Sequence, residues 1–281
     1  MPEAFSTVRA LLAEARRDSL PRLDAELLLA HVLGCRRTWL LAHDDAPLDM
    51  SMQTRWRELA ARRRDDEPLA YLVGTKEFHG LALAVDARVL VPRPETELLV
   101  EIGLDILRTR GSDATFAPAL IDLGTGSGAI ALALKAGCER ARVCASDSSE
   151  GALDVARANA GRLQIDIEFR PGSWWQPWHG ERFDLALANP PYVRAGDLHL
   201  AALRHEPLGA LEAGVDGLDA LRAVVAGAPA HLRGGGALWL EHGHDQAAEV
   251  RALLAGAGFG AIESRPDLAG TLRCTGGCVE A

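Results

Sequence analysis

ALIDLGTGSGAIALAL, residues 119–134, is the stretch that decides the fold. Within it, residues 120–123 are a short apolar run of strand length. The next five alternate glycine with small polar residues, and the rest is an apolar helical segment. Strand, glycine turn and helix in that order open a doubly wound α/β unit, in which ligands sit over the carboxyl ends of the strands. The pattern then repeats outward. Residues 141–146 read as a second strand and 150–160 as a second helix. Further strands fall at 165–169, 183–188, 237–241, 261–264 and 272–279, with helices at 218–231 and 247–255. A long loop covers 189–217. Alternation of this kind predicts a parallel sheet with helices on both faces.

Upstream of that stretch the pattern changes. Residues 92–94 carry two prolines, a helix is expected over 95–108, and a loop follows near 111–118. Residues 74–91 alternate in short runs, 75–78 and 81–85, around His79-Gly80, which predicts a β-hairpin. The first 73 residues read as helical. Val8, Leu11, Leu12 and Ala15 recur at helical spacing. A second apolar face runs from Leu23 to Leu33 and closes at Gly34, and a third helix spans 51–64 with Ser51 as its cap. The expected organisation is a small all-helical domain (1–73), a hairpin linker (74–91) and an α/β domain (92–281).

Composition narrows the function. The 281 residues are 48% hydrophobic and carry a formal net charge of -9. That is too apolar for a disordered chain and too acidic for a surface built to coat phosphate. No apolar run reaches the length of a membrane span, and the N-terminal MPEAFSTVRA does not read as a secretory signal. Five scattered cysteines contain no CxxC pair, so reduced thiols in the cytoplasm are expected and no metal site is assigned.

The chemistry starts at the glycine loop. Asp147 ends the second strand about 20 residues beyond it, the separation expected of a carboxylate that accepts hydrogen bonds from ribose hydroxyls. Nicotinamide dinucleotides and S-adenosylmethionine both suit a loop paired with such an acid. The run Gly124-x-Gly126-x-Gly128 followed by Ala129 departs from the dinucleotide fingerprint. Asp122, two residues before the loop, suits a methionyl amino group better than a pyrophosphate. Both features favour S-adenosylmethionine.

Asn189-Pro190-Pro191-Tyr192 follows the strand at 183–188 and is the most specific feature. Two prolines stiffen the backbone and remove two donors. What remains is the Asn189 amide, the Pro190 carbonyl and the Tyr192 ring. Two fixed acceptors suit a planar NH2 on an sp2 carbon. They hold its two hydrogens and favour positive charge on nitrogen as it attacks a methyl group. Asn189, Pro190 and Tyr192 are therefore the candidate catalytic residues. A nucleic-acid adenine or guanine methyltransferase would use the same tetrapeptide, but would need a basic groove and an unstacked base. A dehydrogenase leaves the tetrapeptide unexplained.

The chain resembles the PrmC/HemK family of bacterial protein-glutamine N5-methyltransferases. The resemblance rests on Gly74-Thr75-Lys76-Glu77-Phe78, on Val91-Pro92-Arg93-Pro94-Glu95-Thr96-Glu97, on the loop from Asp122 to Gly128, on Asn189–Tyr192, and on Glu241-His242-Gly243. The segment from 74 to 97 sets it apart from nucleic-acid enzymes. The resemblance implies a Rossmann-like class I methyltransferase sheet and S-adenosylmethionine as cofactor, leaving as S-adenosylhomocysteine. It implies that Gly124, Thr125, Gly126, Ser127 and Gly128 line the cofactor with Asp147 on the ribose, and that one tryptophan of the pair Trp174-Trp175 lies by the adenine, Trp174 by direct alignment or Trp175 if the alignment carries a one-residue gap. Asn189 would face both cofactor and substrate, and Asn189, Pro190, Pro191 and Tyr192 would hold the substrate glutamine. That glutamine belongs to the Gly-Gly-Gln loop of peptide chain release factors, with the N-terminal domain helping to dock them. Gly172-Ser173 stands where family members often carry Ser-Asp. The late segment from Asp267 to Arg273 matches the family in outline and equally suits a turn. The expected protein is a monomeric, cytoplasmic enzyme acting on a protein rather than on nucleic acid or a membrane.

Overall fold

The computed structural model describes residues 6–110 and 117–280. The chain divides into two compact units, Met1–Thr75 and Lys76–Ala281. The first is built on helices α1 (Val8–Arg17), α2 (Arg22–Leu33), α3 (Arg37–Ala42), α4 (Met50–Arg64) and α5 (Leu69–Val73). Val8, Leu11, Leu28, Leu29 and Trp56 fill its core. Gly34, in the left-handed conformation, ends α2 as read from the sequence. Ser51 is not the cap of α4. Asp49 is, accepting the Met52 N–H at 2.8 Å while Ser51 donates to the same carboxylate. A carboxylate there also meets the positive end of the helix. The unit is not wholly helical, because β1 (Ser6–Thr7) and β2 (Pro47–Leu48) form a two-residue antiparallel pair.

The hairpin forms where the sequence places it, with β3 (Thr75–Phe78) and β4 (Leu81–Ala84). His79 and Gly80 both take positive φ, the geometry of a tight two-residue turn. A single 3-10 turn, Pro94–Thr96, leads into α6 (Glu97–Arg110). The loop expected near 111–118 falls mainly on residues outside those described.

The sheet of the second unit has seven strands. They are β5 (Ala119–Leu123), β6 (Arg142–Asp147), β7 (Glu168–Pro171), β8 (Phe183–Ala188), β9 (Leu232–Glu241), β10 (Phe259–Pro266) and β11 (Leu272–Val279). Their order is β10-β11-β9-β8-β5-β6-β7. Strands β5 to β9 pair in parallel. Only β11 runs against its neighbours, because a tight turn joins it to β10. Side chains alternate across the sheet. Leu120, Leu185 and Leu187 pack on one face with residues of α6 and of α7 (Ala129–Gly137). Ile121, Ala186 and Ala188 pack on the other, against α9 (Asp219–His231) and α10 (Ala247–Gly256).

Two strands start three or more residues away from the sequence reading. Helix α8 (Glu150–Leu163) ends in a left-handed Gln164, and the Ile165 N–H closes back on the Ala160 carbonyl. The strand expected at 165–169 therefore starts only at Glu168. Strand β9 begins five residues before the expected 237. The long loop at 189–217 holds two short 3-10 segments, Leu198–Leu203 and Leu208–Ala210. It is tied down by the buried Glu206, which accepts the Val91 N–H at 3.0 Å and pairs with Arg93.

Candidate functional site

Strand β5 has β6 on one side and β8 on the other, so the connections leaving it diverge and open a crevice at its carboxyl end. A cavity of about 270 Å³ occupies that crevice. Gly124, Thr125, Gly126 and Ser127 line it, as do Asp147, Trp174, Asn189 and Pro191.

The glycine loop is held from below. Asp122 is fully buried, and its Oδ2 accepts the Thr125 hydroxyl at 2.6 Å and the Ala131 N–H at 3.2 Å. It braces the loop and the start of α7 and is not part of the cavity wall, which corrects its expected place beside a ligand amino group. Its Oδ1 has no partner, and burial pushes its carboxyl up to about 7. Gly124 has φ +74 and lies so close to Trp174 that a Cβ would sit 3.0 Å from the indole. Gly128 departs from the expectation. With φ +85 it caps α7, and a Cβ there would meet Leu132 and Ala156 rather than open space. It turns the chain into the helix and stays off the cavity wall.

Asp147 ends β6 facing the loop. One carboxylate oxygen accepts the Gly126 N–H and the other the Ser149 N–H, both at 2.9 Å. Burial raises its carboxyl above the usual range, and those N–H groups oppose the shift. Each carboxylate oxygen can accept a second hydrogen bond. Both tryptophans touch the core on the α9 face of the sheet, but only Trp174 lies on the cavity wall. Trp174, held at positive φ, turns its ring to the cavity, and its carbonyl accepts the Ser146 hydroxyl at 2.8 Å. Trp175 is buried in the opposite-face core, where its indole N–H donates to the Val224 carbonyl at 2.8 Å.

The tetrapeptide begins one residue after β8. Asn189 Nδ2 donates to Thr96 Oγ1 at 3.0 Å, and Oδ1 has no partner among the described residues. Pro190 and Tyr192 are not on the cavity wall. Tyr192 is partly buried, and its hydroxyl donates to Glu241 Oε1 at 3.2 Å. Glu241 ends β9 and is 1% exposed. Sequence reasoning did not find Thr96 and Glu241 as site residues, nor the wall supplied by Arg88, Pro92 and Arg93 and by Pro207 and Gly209. These come from segments far apart in sequence. The only local signals were the proline-rich run and the glutamate ending a strand. The late segment from Asp267 to Arg273 is a turn. Asp267 accepts the Ala269 and Thr271 N–H groups and closes on Arg273 at 3.5 Å.

Among the described residues no group of three or more His, Cys, Asp or Glu is placed to hold a metal ion. No described helix is long and apolar enough to cross a membrane.

Known proteins resemble both units. Residues 3–74 match the PrmC N-terminal domain, and residues 100–206 match the methyltransferase small domain. The release factor glutamine methyltransferase of Bordetella pertussis is 50% identical over 97% of this chain and 99% of its own length. That of Burkholderia pseudomallei is 49% identical over 95% and 96%. Among solved structures, a methyltransferase from Pyrococcus furiosus aligns with a TM-score of 0.54 at 16% identity, covering 83% of this chain and all of its own (100%). A 16S rRNA methyltransferase of T. thermophilus, in complex with AdoMet and guanosine, aligns at 0.56 and 19% identity over 73% of this chain and 50% of its own. At those identities the solved structures speak to the fold alone. The full-length similarity to the first two relatives goes further, and by it this chain belongs to the release factor glutamine methyltransferase family.

Proposed function

We propose that the protein transfers a methyl group from S-adenosylmethionine to the side-chain amide nitrogen of a glutamine in peptide chain release factors, the glutamine of their Gly-Gly-Gln loop. One observation carries the reading. Asn189, whose Oδ1 has no partner among the described residues, lines the same cavity as the glycine loop and Asp147.

The cavity fits such a cofactor. Gly126 has open space around its missing Cβ, and Gly124 leaves no room for one between loop and indole. A ligand can therefore lie against bare backbone. Asp147 retains acceptor capacity for a ribose diol, and Trp174 offers a face to an adenine. We assign Gly124, Thr125, Gly126, Ser127, Asp147, Trp174 and Asn189 to the cofactor. Gly128 shapes the loop from behind. When bound, S-adenosylmethionine supplies an electrophilic methyl carbon on a sulfonium sulfur.

The chain's own residues do the rest by position. An amide nitrogen is a poor nucleophile because its lone pair is delocalised. Asn189 Oδ1 and the Pro190 carbonyl accept its two N–H hydrogens, hold it in place and stabilise the charge that grows on it. The product nitrogen is acidic only once it is cationic, so no base is needed beforehand. Pro191 stiffens the turn, and Tyr192 closes the glutamine side of the site.

The helical unit, residues 1–73, is assigned to docking the release factor. A net charge of -9 favours a protein partner over nucleic acid, and the enzyme acts as a monomer in the cytoplasm. The test is methyl transfer from labelled cofactor to purified release factor, to its Gln→Ala variant and to plasmid DNA. Label in the release factor alone supports the reading. Label in DNA, or undiminished label in the Gln→Ala partner, overturns it.

A further inference from the structure

Asn159 is fully buried on α8 and lies off the cavity wall. Its carboxamide uses every hydrogen-bonding capacity it has. Oδ1 accepts the Ala84 N–H at 2.7 Å and the Arg162 guanidinium at 3.0 Å. Nδ2 donates to the Ala84 carbonyl and to the Ser127 carbonyl, both at 3.0 Å. The partners are N–H donors on one side and carbonyls on the other, so the carboxamide fits in one orientation only. Arg162 also donates to the Ala82 carbonyl. One side chain thus joins strand β4 to the glycine loop, reaching across 75 positions in one direction and 32 in the other.

The loop needs such an anchor. Gly124, Gly126 and Gly128 all hold positive φ, and a segment so rich in glycine has many conformations to lose. Its polar groups are fixed one by one. The Gly124 and Thr125 N–H groups donate to the Ser146 carbonyl, and the Gly126 N–H donates to Asp147. The Ser127 carbonyl is a special case. In a continued helix it would accept the N–H four residues on, that of Ala131. Asp122 takes that N–H instead. Asn159 supplies the donor in its place and pins the carbonyl toward α8, while Ser127 still lines the cavity.

We propose that Asn159 is a positioning residue for cofactor binding, and that through it the β3–β4 hairpin supports the glycine loop. The inference rests on the assignment of that loop to S-adenosylmethionine. The coupling runs both ways. If an intact hairpin contact favours the cofactor, bound cofactor stabilises the hairpin contact by the same factor.

The experiment compares the full-length parent with Asn159→Leu, Ala84→Pro, Leu254→Ala and Asp147→Ala. It measures the calorimetric Kd for S-adenosylmethionine well below each melting temperature. Asn159→Leu keeps the volume and removes all four hydrogen bonds, and should raise Kd by about 10–10²-fold. Ala84→Pro removes the N–H that Asn159 Oδ1 accepts and, though Ala84 is off the cavity wall, should raise Kd by about threefold to tenfold. Leu254→Ala empties part of the core beside α10. It should lower the melting temperature and leave Kd within about twofold, which separates lost stability from a lost tie. In hydrogen exchange, saturating cofactor should slow the amides of residues 82–84 in the parent and leave them unchanged in Asn159→Leu.

A parental Kd in Asn159→Leu or Ala84→Pro overturns the proposal. So does a Kd raised as strongly in Leu254→Ala, or exchange at 82–84 in the parent that ignores cofactor. If Asn159→Leu does not fold, Ala84→Pro and the exchange in the parent decide. Asp147→Ala judges the assignment beneath. A parental Kd in that variant removes the cofactor from the loop, whatever Asn159 does.

Discussion

Asn189 is the residue on which turnover should depend most. Its side chain makes one hydrogen bond, to Thr96, and packs into no core. Asn189→Ala should fold with an unchanged melting temperature and lose about 10²–10³ in methyl transfer, the usual loss when one oriented polar group is removed. Near-parental turnover in a release factor assay would remove it from the mechanism. Asp122 has a different fate. Its carboxyl is raised in the folded state to about 7, above its ordinary 3.8. Between those values the unfolded chain has released the proton that the native chain keeps. Stability should therefore fall as pH rises through that window and level off above it. Urea unfolding of Asp122→Asn should show a shallower decline from about pH 4 to pH 7 than the parent. An identical slope would mean that Asp122 does not carry the shift. Glu241, raised by the same cause, contributes in the same direction and is left intact in this comparison.

At the scale of elements, the turn after β7 does two jobs with adjacent residues. Trp174 faces the cavity, and Trp175 fills the core between the sheet and α9, with its N–H on Val224. Substitution should separate them. Trp175→Ala should cost about 3–5 kcal/mol of unfolding free energy. Trp174→Ala should melt close to the parent but bind S-adenosylmethionine at least about tenfold more weakly. Equal destabilisation by both would show that Trp174 is a core residue. The sequence offered Trp174 through a resemblance and no physical reason to prefer it. Trp174 takes a positive φ, a conformation that side-chain residues rarely adopt, and its partly buried ring reaches both the cavity wall and the edge of the core that Trp175 fills.

Over the whole molecule, the two compact units divide at Thr75 and Lys76. Every residue lining the cavity lies in the second. Residues 76–281 expressed alone should therefore bind S-adenosylmethionine within about fivefold of the full chain, as an independent domain does. If the helical unit docks the partner, that fragment should lose methylation of intact release factor. A fragment that methylates it at the full-length rate would refute the docking role.

Local features were legible without coordinates. The strand, glycine turn and helix at 119–134, the hairpin turn at His79-Gly80, and Asn-Pro-Pro-Tyr after a strand each carry their signal within a few consecutive residues. Backbone sterics and hydrophobic period act over that range. What remained hidden depends on residues far apart in sequence. Thr96 meets Asn189 across 93 positions and Tyr192 meets Glu241 across 49. The burial of Asp122, the strand reversed at β11 and the cavity wall from the loop at 189–217 likewise follow from how the sheet stacks its strands. A sequence lists the groups able to donate and accept. Only folding decides which of them lose water together, and so which partner each must take.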